Sequence, residues 1–148
     1  MCTLCNYPEL LNRSNIETTS NRLRVLEIIG GNPTPLSAAE VIAILQREAD
    51  VNRVTIYRIL DLLVGHGLLE RLSTGGRAFC YGMAPNSNHP PHPHFYCKKC
   101  GQMECLDAGS LAVDATWLQK IFSGRIDKIE IRADGVCKNC LRPESSRE

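Results

Sequence analysis

At 148 residues the chain is long enough for one domain or two small ones. Its 43% apolar fraction supplies real cores, but no apolar run approaches the ~18 residues of a membrane span. Formal net charge is +1, with eight arginines against eight acids up to residue 83 and nine Lys/Arg against eight acids beyond it, so bulk charge does not mark a nucleic-acid binder.

The opening Met1-Cys2-Thr3-Leu4-Cys5 lacks the basic and apolar regions of a signal peptide. A reducing compartment, the cytoplasm, is therefore expected, where the eight cysteines bind metal more readily than they pair as disulfides. Cys2-x2-Cys5 has no second pair near it in the sequence and reads as a disordered, adventitious chelator whose role stays open. Leu23, Val25, Leu26, Ile28 and Ile29 predict a helix over Thr19–Ile29, stopped by Gly30-Gly31-Asn32-Pro33. Ser37-x-x-Glu40 is a capping box that opens a second helix carrying Val41, Ile42, Ile44 and Leu45. After the turn Asp50-Val51-Asn52, a third helix runs to about His66 and ends at Gly67, with His66 read as a C-terminal cap. Leu68–Leu72 and Ala78–Met83 are predicted strands around the turn Ser73-Thr74-Gly75-Gly76. Three helices followed by a hairpin is the order of a winged helix-turn-helix, here residues 1–83.

The third helix has a face that packing does not explain. Ile56, Ile59, Leu60 and Leu63 fall on one side and should meet the core. Val54, Tyr57, Arg58 and Asp61 fall opposite, and Val and Tyr are unusual beside Arg on a solvated face. A helix entering the DNA major groove uses them, with apolar atoms meeting thymine methyls and Arg reaching guanine or phosphate; the alternative is an ordinary exposed face with Tyr57 lying flat on it. Every basic residue before position 84 is Arg, which suits directed contacts better than a diffuse positive field.

Residues 84–94, rich in Pro and His, cannot form a regular helix and read as a hinge. His89, His92 and His94 lie on it. Beyond it, Phe95–Cys97 and Gln102–Leu106 are predicted strands, Ser110–Phe122 a helix, and Lys128–Ala133 a strand, making residues 95–148 a second, α/β module in an overall α+β chain. Trp117 is expected in the core or in a dimer interface. Cys97-x2-Cys100 and Cys137-x2-Cys140 carry the strongest signal in this module. Each C-x2-C turn aims two thiolates at one centre, and two such pairs complete the four-sulfur shell of a structural zinc. The other readings are two disulfides or four buried thiols. The 36 residues between the pairs are too many for a simple zinc ribbon, so the ion would tie the two ends of the module together.

Val54-Thr55-Ile56-Tyr57-Arg58-Ile59-Leu60 resembles the recognition-helix signature of the ferric-uptake-regulator (Fur) family of metal-sensing repressors. Gly67-Leu68-Leu69, Gly75-Gly76-Arg77, His92-x-His94, Cys97-x2-Cys100-Gly101 and Gly135-Val136-Cys137-x2-Cys140 match in order, so the likeness covers about residues 13–141. The resemblance implies a winged-helix DNA-binding domain, a dimerisation domain closed by structural zinc, and a regulatory metal at the hinge. It also implies a homodimer that binds an A/T-rich inverted repeat in double-stranded DNA when metal is loaded. Tyr57 and Arg58 match base-contacting positions. Arg53, Thr55, Arg22 and Arg77 are candidate phosphate contacts.

In that family the regulatory ligands come from the wing, the hinge histidines and the strand after the first zinc pair. Here these are Cys80, Glu70, His92 and His94, with Cys105 standing where the family commonly has Glu or Asp. Cys105 is either a competing ligand or a small buried hydrophobe, Glu70 is either a ligand or a solvated strand residue, and His89 is a possible substitute for a hinge histidine. A shell rich in sulfur and nitrogen suits tetrahedral Zn²⁺ better than Fe²⁺ or Mn²⁺. It is similar to the zinc-uptake-regulator (Zur) branch, which implies control of zinc-uptake genes. A further carboxylate/histidine site of many relatives is missing, because Pro91, Pro93 and Ile129 occupy its usual positions. Two zinc ions per chain are expected, with the regulatory one locking wing to hinge to core so that a dimer's recognition helices match successive major grooves. Iron or peroxide sensing, or a thiol switch through Cys80 and Cys105, are the rival regulatory readings. A zinc-stabilised interaction module without DNA binding is the rival outside regulation. Enzymatic activity is not expected: there is no nucleophile paired with a base, no phosphate-binding glycine loop and no open metal site beside a general base.

Overall fold

The computed structural model describes residues 5–141, which divide into two units between Pro90 and Pro91, within the Pro/His segment. The first unit opens with helix α1, Tyr7–Arg13, where Asn6 Oδ1 accepts from the Glu9 N–H at 3.1 Å. The sequence reading did not anticipate α1, because seven residues with a proline in the first turn display no full helical period. Helix α2, Ser20–Gly30, is capped by the Thr19 side chain and buries Val25, Leu26, Ile28 and Ile29. A side chain at Gly30 would collide with the Tyr7 ring, so glycine lets α1 and α2 approach.

Strand β1, Leu36–Ser37, leads into helix α3, Ala38–Glu48. The capping box is complete: the Glu40 N–H donates to Ser37 Oγ and the Ser37 N–H to Glu40 Oε1, both at 3.1 Å. Helix α4, Arg53–Gly65, starts at Asn52, whose side chain accepts from the Thr55 N–H at 2.8 Å. It ends in a Schellman turn, with Gly67 at φ 75°, the Gly67 N–H on the Val64 carbonyl at 3.0 Å and the Leu68 N–H on the Leu63 carbonyl at 2.9 Å. The expected cap, His66, also donates from Nδ1 to the Leu62 carbonyl.

Strands β2, Leu69–Ser73, and β3, Phe79–Met83, form the wing hairpin, and β1 adds to β3 to give an antiparallel sheet of order β1-β3-β2. Leu11, Val25, Leu26, Val41, Ile56, Leu60 and Leu63 are fully buried and hold the helices to one another and to the sheet. This unit is a winged helix-turn-helix, with one helix more than the sequence suggested.

The second unit is a sheet of order β5-β4-β6, built from β4, His94–Cys97, β5, Met103–Cys105, and β6, Arg132–Gly135. Strand β4 runs antiparallel to β5 and parallel to β6. Helix α5, Ala115–Ile121, is shorter than the predicted Ser110–Phe122. Ser110 instead donates through Oγ to the Asp107 carbonyl at 2.7 Å, a local alternative to helix, and Asp114 caps the helix proper. The last strand also starts later than expected, because pairing with β4 begins only at Ile131, whose carbonyl accepts from the His94 N–H. Helix α5 buries no residue; Trp117 is 58% exposed, which removes it from the core of the chain. No helix of the described residues is long and apolar enough to cross a membrane.

Candidate metal centres and nucleic-acid interface

Helix α4 sorts its side chains as its periodicity demands. Ile56, Ile59, Leu60 and Leu63 are buried, whereas Val54 is 57% and Tyr57 42% exposed, with Arg53, Arg58 and Asp61 also exposed. Thr55 is half-buried in the first turn, its N–H taken by Asn52. Arg77 is exposed on the wing turn. Arg53, Arg58 and Arg77 make no ion pair among the described residues, which leaves their guanidinium groups available to an anionic partner. Arg22, in the first turn of α2, donates from Nη1 to the Glu17 carbonyl at 3.0 Å.

The wing is also braced to α4, a feature the sequence did not announce. Arg71 on β2 pairs with Asp61 on α4 and lies over the Phe79 ring with its guanidinium carbon 5.9 Å from the centroid. Hydrogen bonding to Tyr81 first, and to Asp61, raises the Arg71 pKa. The pairing depends on the hairpin register, Arg71 opposite Tyr81 and Ser73 opposite Phe79, which cannot be read from either strand alone.

In the second unit, β4 ends at Cys97 beside Gly135 of β6, bringing the two C-x2-C turns to one corner of the sheet. Gly101 takes φ 76° to close the first turn, its N–H donating to the Cys97 carbonyl at 2.9 Å. The sulfurs of Cys97, Cys100, Cys137 and Cys140 all lie within 4.8 Å of one another, with Cys100 and Cys137 sulfurs 3.8 Å apart, far beyond a disulfide bond. Backbone N–H donors from Cys100 at 3.5 Å and Cys137 at 3.3 Å stabilise the Cys97 thiolate and bring its pKa down to about 6. Hydrogen bonding to Cys137, then burial, drives Cys140 the other way, to about 12. Four thiolates crowded together repel unless a cation sits among them, and this cluster can hold one metal ion.

A second cluster lies on the neighbouring strands. His92, His94 and Cys105 present ligand atoms that all fall within 4.8 Å of one another. The register places His94 opposite Cys105, and the His92 and His94 ring centroids are 4.5 Å apart. Burial, reinforced by His92, lowers the His94 pKa to about 4 and keeps its imidazole neutral, the form that binds metal. Cys105 is exposed, so its alternative reading as a buried hydrophobe fails.

Cys80 and Glu70 belong to the first unit, on the wing hairpin. Cys80 is 4% exposed, opposite Leu72 on one side and Ser37 on the other, and burial followed by the Glu40 charge raises its thiol pKa. Glu70, half-buried, stands opposite Gly82, two positions along the hairpin from the Cys80–Leu72 pair. His89 has its Nε2 at 3.2 Å from Cys5 Sγ, a contact sequence reasoning missed.

The model of the family described as "Ferric uptake regulator family" matches residues 13–117. The transcriptional regulator FurA of Mycobacterium tuberculosis is 24% identical over 147 residues, covering 99% of this chain and 98% of its own. Among solved structures, the ferric uptake regulator of Vibrio cholerae superposes with a TM-score of 0.68 at 18% identity, covering 89% of this chain and 100% of that one. A zinc uptake regulator complexed with zinc and DNA gives 0.61 at 22% identity, covering 90% of this chain and 89% of that one. The two structural likenesses establish a shared fold.

Proposed function

The chain belongs to the ferric uptake regulator family of metal-responsive, non-enzymatic transcriptional regulators, and on that premise we propose that it is a homodimeric, zinc-responsive DNA-binding repressor of zinc-uptake genes. The observation that carries the choice of metal is the donor set of His92, His94 and Cys105. Two nitrogens and one sulfur suit tetrahedral zinc, whereas iron and manganese favour more oxygen and higher coordination. Cys80 and Glu70, on the wing hairpin, are the further candidate ligands of the regulatory metal. Zinc also suits the four-cysteine cluster: metal–sulfur bonds of ~2.3 Å set tetrahedral sulfur–sulfur edges of roughly 3.8 Å. The 3.8 Å separation of the Cys100 and Cys137 sulfurs supports that reading.

On the DNA side, the exposed Val54, Tyr57 and Arg58 are proposed to read base edges in the major groove of an A/T-rich inverted repeat. Arg53, Thr55, Arg22 and Arg77 contact phosphates. The apolar surface of α5, with Trp117, Ile121 and Phe122 all more than half exposed, supports burial against a second copy.

One observation favours iron instead: the matching family is described as that of the ferric uptake regulator, and a transcriptional regulator FurA aligns across 99% of this chain. Fluorescence anisotropy on A/T-rich inverted-repeat duplexes, at buffered free Zn²⁺, Fe²⁺ and Mn²⁺, separates the readings. Tight binding confined to zinc supports the proposal; a response confined to iron or manganese replaces it with the ferric reading. Binding indifferent to all three but lost on mild oxidation points to a thiol switch, and no DNA binding under any condition leaves an interaction module.

A further inference from the structure

We infer that Asp61 is a base-reading residue of the recognition helix, held by Arg71 so that its second carboxylate oxygen selects a cytosine in the major groove. The inference rests on the DNA-binding reading above and names what one further position of that face recognises. Asp61 lies on α4 with Val54, Tyr57 and Arg58 at the i, i+3, i+4 and i+7 spacing by which one helix reads successive base edges, and like them it is exposed. At a rise of ~1.5 Å per residue it stands roughly 4.5 Å beyond Arg58 along the helix, comparable to the ~3.4 Å step between base pairs.

A bare carboxylate on a DNA-facing surface repels phosphates, so its presence there calls for a counter-charge. Arg71 of β2 supplies it. Its Nη2 donates to Asp61 Oδ1, while a hydrogen bond to Tyr81 and the Phe79 ring beneath it anchor the guanidinium to the wing. The bond from Arg71 takes one carboxylate oxygen, fixes the side chain's direction and leaves Oδ2 to a second donor. More than half of the Asp61 side chain stays open to solvent despite the ion pair.

An ionised carboxylate only accepts hydrogen bonds, so it needs a donor on the base edge. In the major groove guanine presents N7 and O6 and thymine presents O4, all acceptors, and both bases are rejected. Cytosine offers its N4 amino group, whereas adenine offers N6 but sets the N7 acceptor beside it. A single available oxygen therefore fits cytosine. The recognition element is one C·G pair in each half of an otherwise A/T-rich inverted repeat, at a step near the one read by Arg58.

The test is selection from double-stranded oligonucleotides with a randomised core, by the full-length parent, Asp61→Asn, Asp61→Ala and Arg71→Ala, each loaded in turn with Zn²⁺, Fe²⁺ and Mn²⁺. The parent should enrich cytosine over guanine or thymine by about tenfold at one position per half-site. Asp61→Asn, which brings a donor and an acceptor together, should exchange that cytosine for adenine, and Asp61→Ala should show no preference there. Arg71→Ala should blunt the cytosine preference without exchanging it, since the carboxylate remains but is no longer held. Identical motifs for the parent and both Asp61 variants, with affinity lowered uniformly, would make the residue a brace for the wing and overturn the inference, whichever metal supports binding. A parent that enriches no motif with any of the three metals would instead sink the DNA-binding reading, and this assignment with it.

Discussion

The Cys137 N–H donates to Cys97 Sγ across 3.3 Å although the residues are 40 apart in the chain. The bond exists because β6 runs parallel to β4 with Gly135 beside Cys97. Among the described residues of this unit only Pro93, His94, Met103 and two of the cysteines themselves are buried, so a core alone does not close it. Structural zinc contributes ~10–16 kcal/mol in small peptides, and its loss here should unfold the second unit. Cys97→Ser, or strong chelation of the native protein, is expected to abolish amide protection in β4 and β6 while leaving α2 and α4 protected. Hydrogen exchange decides the matter. Retained protection in β4 and β6 would show that no ion is needed there.

Exposure divides the recognition face from the core beneath it. Tyr57 and Val54 protrude on the same helix whose Ile56 and Leu60 are fully buried. Tyr57→Ala and Arg58→Ala should therefore change stability by no more than about 0.5 kcal/mol while weakening operator binding by ~1–3 kcal/mol each. Arg53→Ala and Arg77→Ala should instead weaken specific and non-specific DNA alike and reduce the salt slope by about one phosphate each. Anisotropy titrations over a range of salt, with thermal melts alongside, test both. An Arg58→Ala protein that binds specific DNA normally removes that residue from base readout.

Local signals explain what the sequence made legible. The capping box at Ser37, the glycine stops at Gly30-Gly31 and Gly67, and the apolar stripes between them announced α2, α3 and α4 within a few residues of their observed limits. Gly75, at φ 83°, marked the hairpin for the same reason: its conformation is a property of the turn itself. The C-x2-C turns are likewise local, and their convergence was expected from spacing. What escaped depends on distant pairing. The two-residue strand β1 exists only because β3 is beside it, and the limits of β6 follow from β4. Cys105 was an ambiguous residue until the β4–β5 register set it opposite His94. The Cys5–His89 contact was invisible, since nothing in residues 1–5 foretells where the turn at 86–89 folds.

The Arg71–Asp61 pair joins the wing to the recognition helix at the surface, with side chains 39% and 62% exposed. Such a pair contributes no more than ~1 kcal/mol, because solvent screens it and ordering two side chains costs entropy. Its larger effect should be on placement. Arg71→Ala is expected to shift the melting temperature by only a few degrees yet weaken operator binding severalfold, through looser seating of Arg77 and the wing. Asp61→Asn, which keeps the shape but loses the charge, should reproduce part of the effect. A variant that melts much lower but binds DNA with parental affinity when folded would make the contact a stabilising one only.

Cys105 and Cys80 separate the sensing reading from its rivals. Cys105 is exposed on β5, so replacing it costs little packing, and Cys105→Asp substitutes oxygen for sulfur beside His92 and His94. Harder donors favour manganese and iron relative to zinc. The variant should need a higher free zinc concentration, by tenfold or more, for half-maximal DNA binding, while gaining response to Mn²⁺. Cys80→Ser should abolish the zinc response and leave the four-cysteine metal in place. Burial of Cys80 at 4% exposure means the hydroxyl also costs about 1–3 kcal/mol, so a melt must accompany that assay. Zinc-buffered anisotropy on both variants gives the answer. If Cys105→Asp keeps the parental zinc response, the β5 thiol is no ligand; if both variants keep it, the sensing site lies elsewhere in the chain.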